Sequence, residues 1–191
     1  KRMPLHKDDK ILTAWNGLMI AACAKAGLAL AQPHYIDMAK RAYQFIQQHL
    51  RGAGDALYIS WRQGHAKGEG LLDDYAFFLW GTLELYAATY DEAYLQQAHG
   101  DMKRVLSDFY DVQGGGFFLT SMTGETLLYR PKELYDGAMP SGNSVMAWLL
   151  LQLGGLLEET DLILAGRLQL EFLAGAIEEY PPGYSQALTA F

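Results

Sequence analysis

Three stretches of the chain share one pattern, in which polar residues that favour a helix start precede almost wholly apolar residues. The stretches cover residues 12–22, 72–80 and 140–148. When Asn16, Tyr75 and Asn143 are aligned, the stretches are spaced by 59 and 68 residues. Self-similarity of this kind marks a repeated supersecondary unit, so the chain is constrained to an architecture built from three similar parts.

Each apolar stretch begins a helix that is followed by a second, amphipathic helix. Apolar residues surround the helix predicted over 13–30, which is typical of a helix buried on every side. In the helix predicted over 35–50, apolar residues form one stripe and charged residues lie mostly opposite, which is typical of an outer helix. The pattern predicts an all-α fold of three helical hairpins. They lie at about residues 11–50, 73–110 and 141–179.

The connections between these helices are of two kinds. Short turns join the two helices of a hairpin, whereas the connections 51–72 and 111–140 are long. Residues 57–61 predict a short strand, and the runs 117–120 and 126–129 predict a β-hairpin. Antiparallel hairpins place the long connections at the end where every inner helix begins. Because loops held by a rigid scaffold often carry function, this end is predicted to hold any site.

Composition narrows the class of protein. The chain has 191 residues and is 50% hydrophobic, enough for one substantial core. A net charge of -7 disfavours nucleic-acid binding. Cys23 is the only cysteine, so a disulfide or a cysteine-rich zinc site within this chain is excluded. The five histidines show no metal-ligand spacing, and neither a metal nor another cofactor is predicted. Asn16, Gly17 and Lys25 interrupt the first apolar helix, which favours a core helix over a membrane span.

Three motifs resemble the spermatogenesis-associated protein 20 family. They are Asp8-Asp9-Lys10-Ile11-Leu12-Thr13-Ala14-Trp15-Asn16-Gly17-Leu18-Met19, Leu72-Asp73-Asp74-Tyr75-Ala76, and residues 130–144 from Arg130 to Ser144. The resemblance implies a helical domain similar to N-acylglucosamine 2-epimerases and six-hairpin glycosidases, the (α/α)6 toroids, and a thioredoxin-like domain in the parent protein. Three hairpins are half of six, so a half-toroid fragment is expected. No signal peptide is visible, and a cytoplasmic location is expected.

Sugar chemistry by such a toroid implies acid and base residues at the rim formed by the inner-helix starts. Asp73, Asp74 and Asp136 are the candidate carboxylates, and His65 is a candidate because toroidal epimerases use histidine for proton transfer. Aspartate at a helix start more commonly serves as a cap, which stabilises the helix by roughly 0.5–2 kcal/mol. This structural role competes with the catalytic interpretation of Asp73 and Asp74. Asp136 has no obvious cap to make.

Candidate ligand-binding side chains lie near the same rim. They are Trp15, Asn16, Tyr75, Arg130, Lys132 and Asn143. Aromatic faces can stack on sugar rings, amides can both donate to and accept from hydroxyls, and the cations can bind a carboxylate or phosphate. The structural alternatives are loop packing for the aromatic residues, capping or loop hydrogen bonds for the amides, and pairing with Asp136 or Glu133 for the cations.

Polar residues recur nine positions after the aligned ones, at Lys25, Glu84 and Gln152. At 1.5 Å per residue they lie roughly 13 Å below the rim. If they face the toroid axis, Lys25 and Glu84 are expected to pair and to form the floor of a funnel. If they face outward, they are solvated.

Two functions follow from these observations. The first is sugar epimerisation or glycoside hydrolysis on a small carbohydrate ligand, with the fragment itself inactive because half the funnel is missing. The second is a non-catalytic helical-repeat scaffold or binding domain. Neither involves nucleic acid or a membrane. An open half-toroid exposes apolar inner helices, so a homodimer through that face is also expected.

Overall fold

The computed structural model describes residue 3, residues 7–125 and residues 127–191. Six long helices form within these residues. They are α1 (Thr13–Ala29), α2 (Pro33–His49), α3 (Leu72–Thr89), α4 (Glu92–Asp108), α5 (Gly142–Leu157) and α6 (Thr160–Glu179), and a short α7 (Ser185–Leu188) follows near the end of the chain. Each odd-numbered long helix packs against the next helix, so the predicted all-α hairpin fold is confirmed.

The inner layer consists of α1, α3 and α5, with α3 in the middle. The side chains of α3 are buried almost all round, and Phe77 and Phe78 have no exposed surface. The outer helices cover the inner layer with one apolar stripe each, as Ala39 and Ile46 of α2 show. The main core therefore lies between the two layers.

Burial on every side holds for α3 but not for α1. On α1, Trp15 and Met19 are each 60% exposed and Leu28 is 51% exposed. The reason is positional, because α3 has an inner neighbour on both sides and α1 has one on a single side. Association of two copies through this apolar face stays a prediction.

A small antiparallel sheet covers the start of α1. It comprises β1 (Ile11–Leu12), β2 (Tyr58–Arg62) and β3 (His65–Glu69), in that order. β2 corresponds to the strand predicted over 57–61. β3 was not predicted because its sequence lacks an apolar run, and Gln63 and Gly64 form the turn with positive φ angles of 50° and 85°. Positive φ at both central residues is the geometry that two-residue hairpin turns favour.

The structure describes the segments 117–120 and 126–129 except for Thr126. In this described part, the prediction of a β-hairpin is wrong. Phe117 makes a single isolated bridge with Tyr110, and no ladder follows among the described residues. The backbone amides here bond elsewhere, since Phe118 N–H donates to Phe109 O and Leu119 N–H donates to Pro131 O. Tertiary partners thus satisfy the groups that a hairpin would have paired.

None of the described helices is long and apolar enough to cross a membrane.

Candidate functional site

The rim of the inner layer is organised by two consecutive aspartates of α3. Asp74 is 3% exposed and accepts hydrogen bonds from Ala14 N, in the first turn of α1, at 3.0 Å and from Leu71 N at 2.9 Å. Asp73 accepts from Gly142 N, at the start of α5, at 2.9 Å. Both aspartates therefore cap neighbouring inner helices, and Asp74 also caps its own. Their negative charge faces the positive ends of these helix dipoles.

Both rim carboxyls bind protons more tightly than usual. Burial raises the pKa of Asp73 to about 6, opposed by the Gly142 N–H and reinforced by the charge of Glu133. Burial raises the pKa of Asp74 to about 7, opposed by the N–H groups of Leu71 and Ala14 and reinforced by Asp73. A pKa near the working pH suits a general acid. Here, however, both oxygens of Asp74 and Oδ1 of Asp73 already accept hydrogen bonds from backbone amides.

These raised pKa values predict that stability depends on pH. A carboxyl whose pKa is higher in the folded than in the unfolded chain stabilises the folded state fully below its unfolded pKa, near 3.8. That stabilisation is lost as pH rises through the folded pKa values of about 6 to 7. The free energy of unfolding should therefore fall between about pH 4 and about pH 7, and less steeply in Asp73→Asn, which lacks this titration. Urea unfolding across that range measures both slopes.

Asp161→Asn is the matched control, because Asp161 is exposed in the first turn of α6. It should keep the wild-type slope. Identical slopes in wild type and Asp73→Asn would contradict the raised pKa of Asp73.

Three other predicted site residues bind the long connections to the inner helices. Asp136 accepts from Ser141 N and Gln186 N, each at 2.8 Å. The hydroxyl of buried Tyr75 accepts from Leu57 N at 2.9 Å. Asn143, which has no exposed surface, accepts from Phe117 N at 2.8 Å and donates to Phe117 O and Glu133 O at 2.9 Å each. Their polar atoms are used in the fold, and a catalytic or ligand-binding role for these three residues stays a prediction.

The two predicted cations also have structural partners, though not the acidic residues expected. Arg130 lies 4.1 Å above the ring of Phe118 and donates to Thr120 O. Lys132 Nζ donates to Asp111 Oδ2 at 2.7 Å. This hydrogen bond is the main cause that lowers the pKa of Asp111 to about 2. Both cations hold the connection between α4 and α5.

The remaining candidates lie apart from this network. His65 is exposed on β3. Trp15 is exposed at the start of α1, and the side chain of Asn16 donates to Leu12 O at 2.8 Å within its own first turn. His6, a second histidine near this end, lies outside the described residues.

A different set of side chains meets on the inner face below the rim. Trp80 of α3 and Trp148 of α5 pack with ring centroids 5.3 Å apart and planes inclined by 60°. One turn further, Glu84 Oε1 accepts from the Trp80 indole N–H at 3.1 Å and pairs with Lys25 Nζ of α1 at 2.8 Å. The expected pairing of Lys25 and Glu84 is thus present. Glu84 is 8% exposed, while the Lys25 side chain is 56% exposed.

Gln152 occupies the position on α5 that Glu84 occupies on α3, one turn beyond Trp148. Its side-chain oxygen is buried and has no hydrogen-bond partner among the described residues. A buried acceptor without a donor is costly to the fold.

A cavity of about 260 Å³ opens between this face and the long connection before α5. Its lining comprises Leu18, Trp80, residues 136–140, Ser185 and Gln186. The volume is slightly below the roughly 300–1,000 Å³ of small-molecule pockets. Trp80 lines this cavity and also donates to Glu84, so the cavity lies next to the Glu84–Lys25 pair. The signal for the two tryptophans was in the sequence, since they are 68 residues apart like the aligned Tyr75 and Asn143.

No group of three or more His, Cys, Asp or Glu residues that could hold a metal ion occurs in the described part of the chain.

Comparison of the sequence with known proteins identifies relatives. No protein-family profile matches the chain. It is 35% identical over 176 residues to spermatogenesis-associated protein 20 of Rattus norvegicus, covering 84% of this chain and 22% of the relative. The chain is a homologue of part of spermatogenesis-associated protein 20. The human protein of that name is 35% identical over 166 residues, and the chain spans 21% of its length. The chain thus spans about a fifth of these curated relatives.

Solved structures similar to this homologue show its fold. Cellobiose 2-epimerase from Bacillus thermoamylovorans superposes with a TM-score of 0.73 at 15% identity, over 89% of this chain and 46% of that one. A GH76 α-mannanase from Bacteroides thetaiotaomicron gives a TM-score of 0.72 at 15% identity, over 91% and 47%. Unsaturated glucuronyl hydrolase from Bacillus sp. GL1 gives 0.67 at 15% identity, over 90% and 49%. These neighbours are (α/α)6 toroids, so the expected half-toroid fold is confirmed.

Proposed function

We propose that the inner face of this half-toroid binds a carbohydrate ring beside Trp80 and Trp148. The observation that carries the proposal is the tryptophan pair lying one turn above a buried, ion-paired glutamate. Support also comes from the fold, which epimerases and glycoside hydrolases share. Aromatic rings supply flat apolar faces for the carbon–hydrogen face of a sugar, and the groups below them supply hydrogen bonds.

The polar groups under the tryptophans suit hydroxyl recognition. Glu84 is held by the indole N–H and the Lys25 ammonium, so its carboxylate is fixed before a ligand arrives. An ammonium carries three donors, and Lys25 is half exposed, so it can donate to a hydroxyl while keeping its ion pair.

Any catalysis by these residues is proposed to be proton transfer, with Glu84 as the base and Lys25 as the neighbouring cation. Hydrolysis requires two carboxylates that flank one glycosidic bond. Asp73, Asp74 and Asp136 instead accept backbone N–H bonds. Epimerisation next to a carbonyl is therefore the preferred reaction class.

The use of the rim carboxylates as helix caps favours a second candidate, a non-catalytic scaffold. In such a scaffold the half-toroid would keep its architecture without binding sugars. The two candidates differ in one measurable property, which is sugar binding on the inner face.

Cellobiose, mannose and glucose are expected to change the tryptophan fluorescence of this chain. They should bind Trp148→Leu about two- to tenfold more weakly, because stacking contributes about 0.5–1.5 kcal/mol. Leucine keeps the position apolar, and thermal unfolding of the variant checks that it is folded, since the smaller side chain loses packing against the core. Tyr129→Ala removes a 76% exposed aromatic residue elsewhere and should leave binding unchanged. Absence of any binding up to about 10 mM sugar would favour the scaffold.

A further inference from the structure

The outward face of the small sheet carries a group of basic side chains, with one carboxylate, Glu69, opposite Tyr58 at the far end of the same side. Ser60 pairs with Lys67 and Arg62 pairs with His65, and cross-strand partners lie on the same side of a sheet. Residues 60 and 62 share that side because side chains alternate along a strand. Lys10 joins them, since it lies two residues before Leu12, the partner of Ser60.

The opposite face of the sheet fixes its orientation. Ile11, Trp61 and Ala66 pack against the main core. The indole of Trp61 lies 4.8 Å from the ring of His49 on α2. Because the apolar side is anchored in this way, the basic side is held towards solvent.

Three cations lie on this face of a chain whose net charge is -7, and the carboxylates of Asp8, Asp9 and Glu69 lie beside them. Lys10 pairs with Asp8 at 3.3 Å, and Arg62 pairs with Asp9. Both aspartates are themselves half to two-thirds exposed, at 68% and 49% of their side-chain surface. Lys67 makes no hydrogen bond or ion pair with any residue that the structure describes.

These side chains enclose a cavity of about 220 Å³. Its lining consists of Lys10, Ser60, Arg62, Gln63, His65 and Lys67. Charged residues on an edge strand also discourage pairing with other chains, which can explain Lys67 on β3. That role does not explain Arg62 on the central strand or a cavity lined by cations from all three parts of the sheet.

We propose that this basic sheet face binds a phosphate group, either as free phosphate or as the phosphate of a phosphorylated sugar. A phosphate offers several strong acceptor oxygens at once, which matches two ammonium groups, a guanidinium, an imidazole and the Ser60 hydroxyl. The site is separate from the inner-face tryptophans and does not depend on the proposed sugar binding.

The proposal is tested by titrating isotopically labelled chain with sodium phosphate at constant ionic strength and following backbone amide signals. Shifts are expected to concentrate in residues 60–67, and Lys67→Gln should weaken binding about tenfold by removing one charge-assisted contact. Lys103→Gln removes an exposed lysine from α4 and should have no effect. Thermal unfolding of both variants checks that each is folded.

A second titration, with glucose 6-phosphate, distinguishes a phosphorylated sugar from free phosphate as the ligand. Tighter binding than free phosphate identifies a phosphorylated sugar, and equal affinity identifies the phosphate group alone. Shifts outside the sheet, equal weakening by Lys67→Gln and Lys103→Gln, or no shift up to about 20 mM phosphate would overturn the proposal. None of these outcomes alters the fluorescence test of Trp148→Leu.

Discussion

Asp101→Ala is expected to lower the free energy of unfolding by about 3–5 kcal/mol. Asp101 of α4 and Arg51, just past the end of α2, form a two-pronged ion pair with N–O distances of 2.9 and 2.5 Å. Their side chains are only 3% and 6% exposed. Removing the carboxylate leaves the Arg51 guanidinium buried without its counter-charge, which costs far more than loss of a surface pair.

Urea unfolding followed by circular dichroism measures this loss. The double variant Arg51→Met/Asp101→Leu is the control, because it removes both charges and keeps apolar volume at the site. It should recover most of the stability, since replacing a whole buried ion pair is often close to neutral. A single-variant loss below about 1 kcal/mol would show that water screens the pair in solution.

Gly17→Ala is expected to cost about 3 kcal/mol, at the upper end of overpacking effects. A Cβ at position 17 would lie 2.5 Å from the carbonyl carbon of Phe77 and 2.6 Å from the Phe78 nitrogen. These atoms belong to the α3 backbone and cannot rotate away, so α1 and α3 must separate. The contact is reciprocal, because a Cβ at Gly81 would lie 2.8 Å from Gly17 O.

Gly100→Ala is the matched control for Gly17→Ala. Gly100 also lies inside a helix, α4, but a Cβ there would meet nothing within 4 Å. Alanine should therefore raise stability at position 100 by up to about 1 kcal/mol through helix propensity alone. Thermal and urea unfolding of both variants separate the free-energy cost of the close helix contact from the effect of helix propensity. A gain in stability for Gly17→Ala would contradict the close helix crossing.

Much of the architecture could be predicted from the sequence because helix periodicity is a local property. The aligned stretches at Asn16, Tyr75 and Asn143 indicated three hairpins and the end at which each inner helix begins. The same alignment placed Lys25 and Glu84 at equivalent depth, where they form an ion pair. Equivalent positions on parallel repeats meet across the inner layer when the repeats pack side by side.

The roles of the rim residues could not be predicted in the same way. Asn16 and Asn143 are equivalent in the repeat, yet Asn16 bonds to its own helix and Asn143 binds the connection after α4. Their environments differ because different long connections cover them. The strand prediction over 117–120 failed for a related reason, since those amides find partners in other parts of the chain.

The sequence by itself determined the helices, the hairpins and the polar rim of this half-toroid, because apolar spacing and helix-start residues act over a few turns. The tertiary structure decided which polar groups the fold uses. Asp74 bonds to Ala14, 60 residues earlier, and Asp73 bonds to Gly142, 69 residues later. Hydrogen bonds over such separations exist only once the helices are packed. That packing turned the rim carboxylates into helix caps and placed Trp80, Trp148 and the Glu84–Lys25 pair on the inner face, where we propose that a sugar binds.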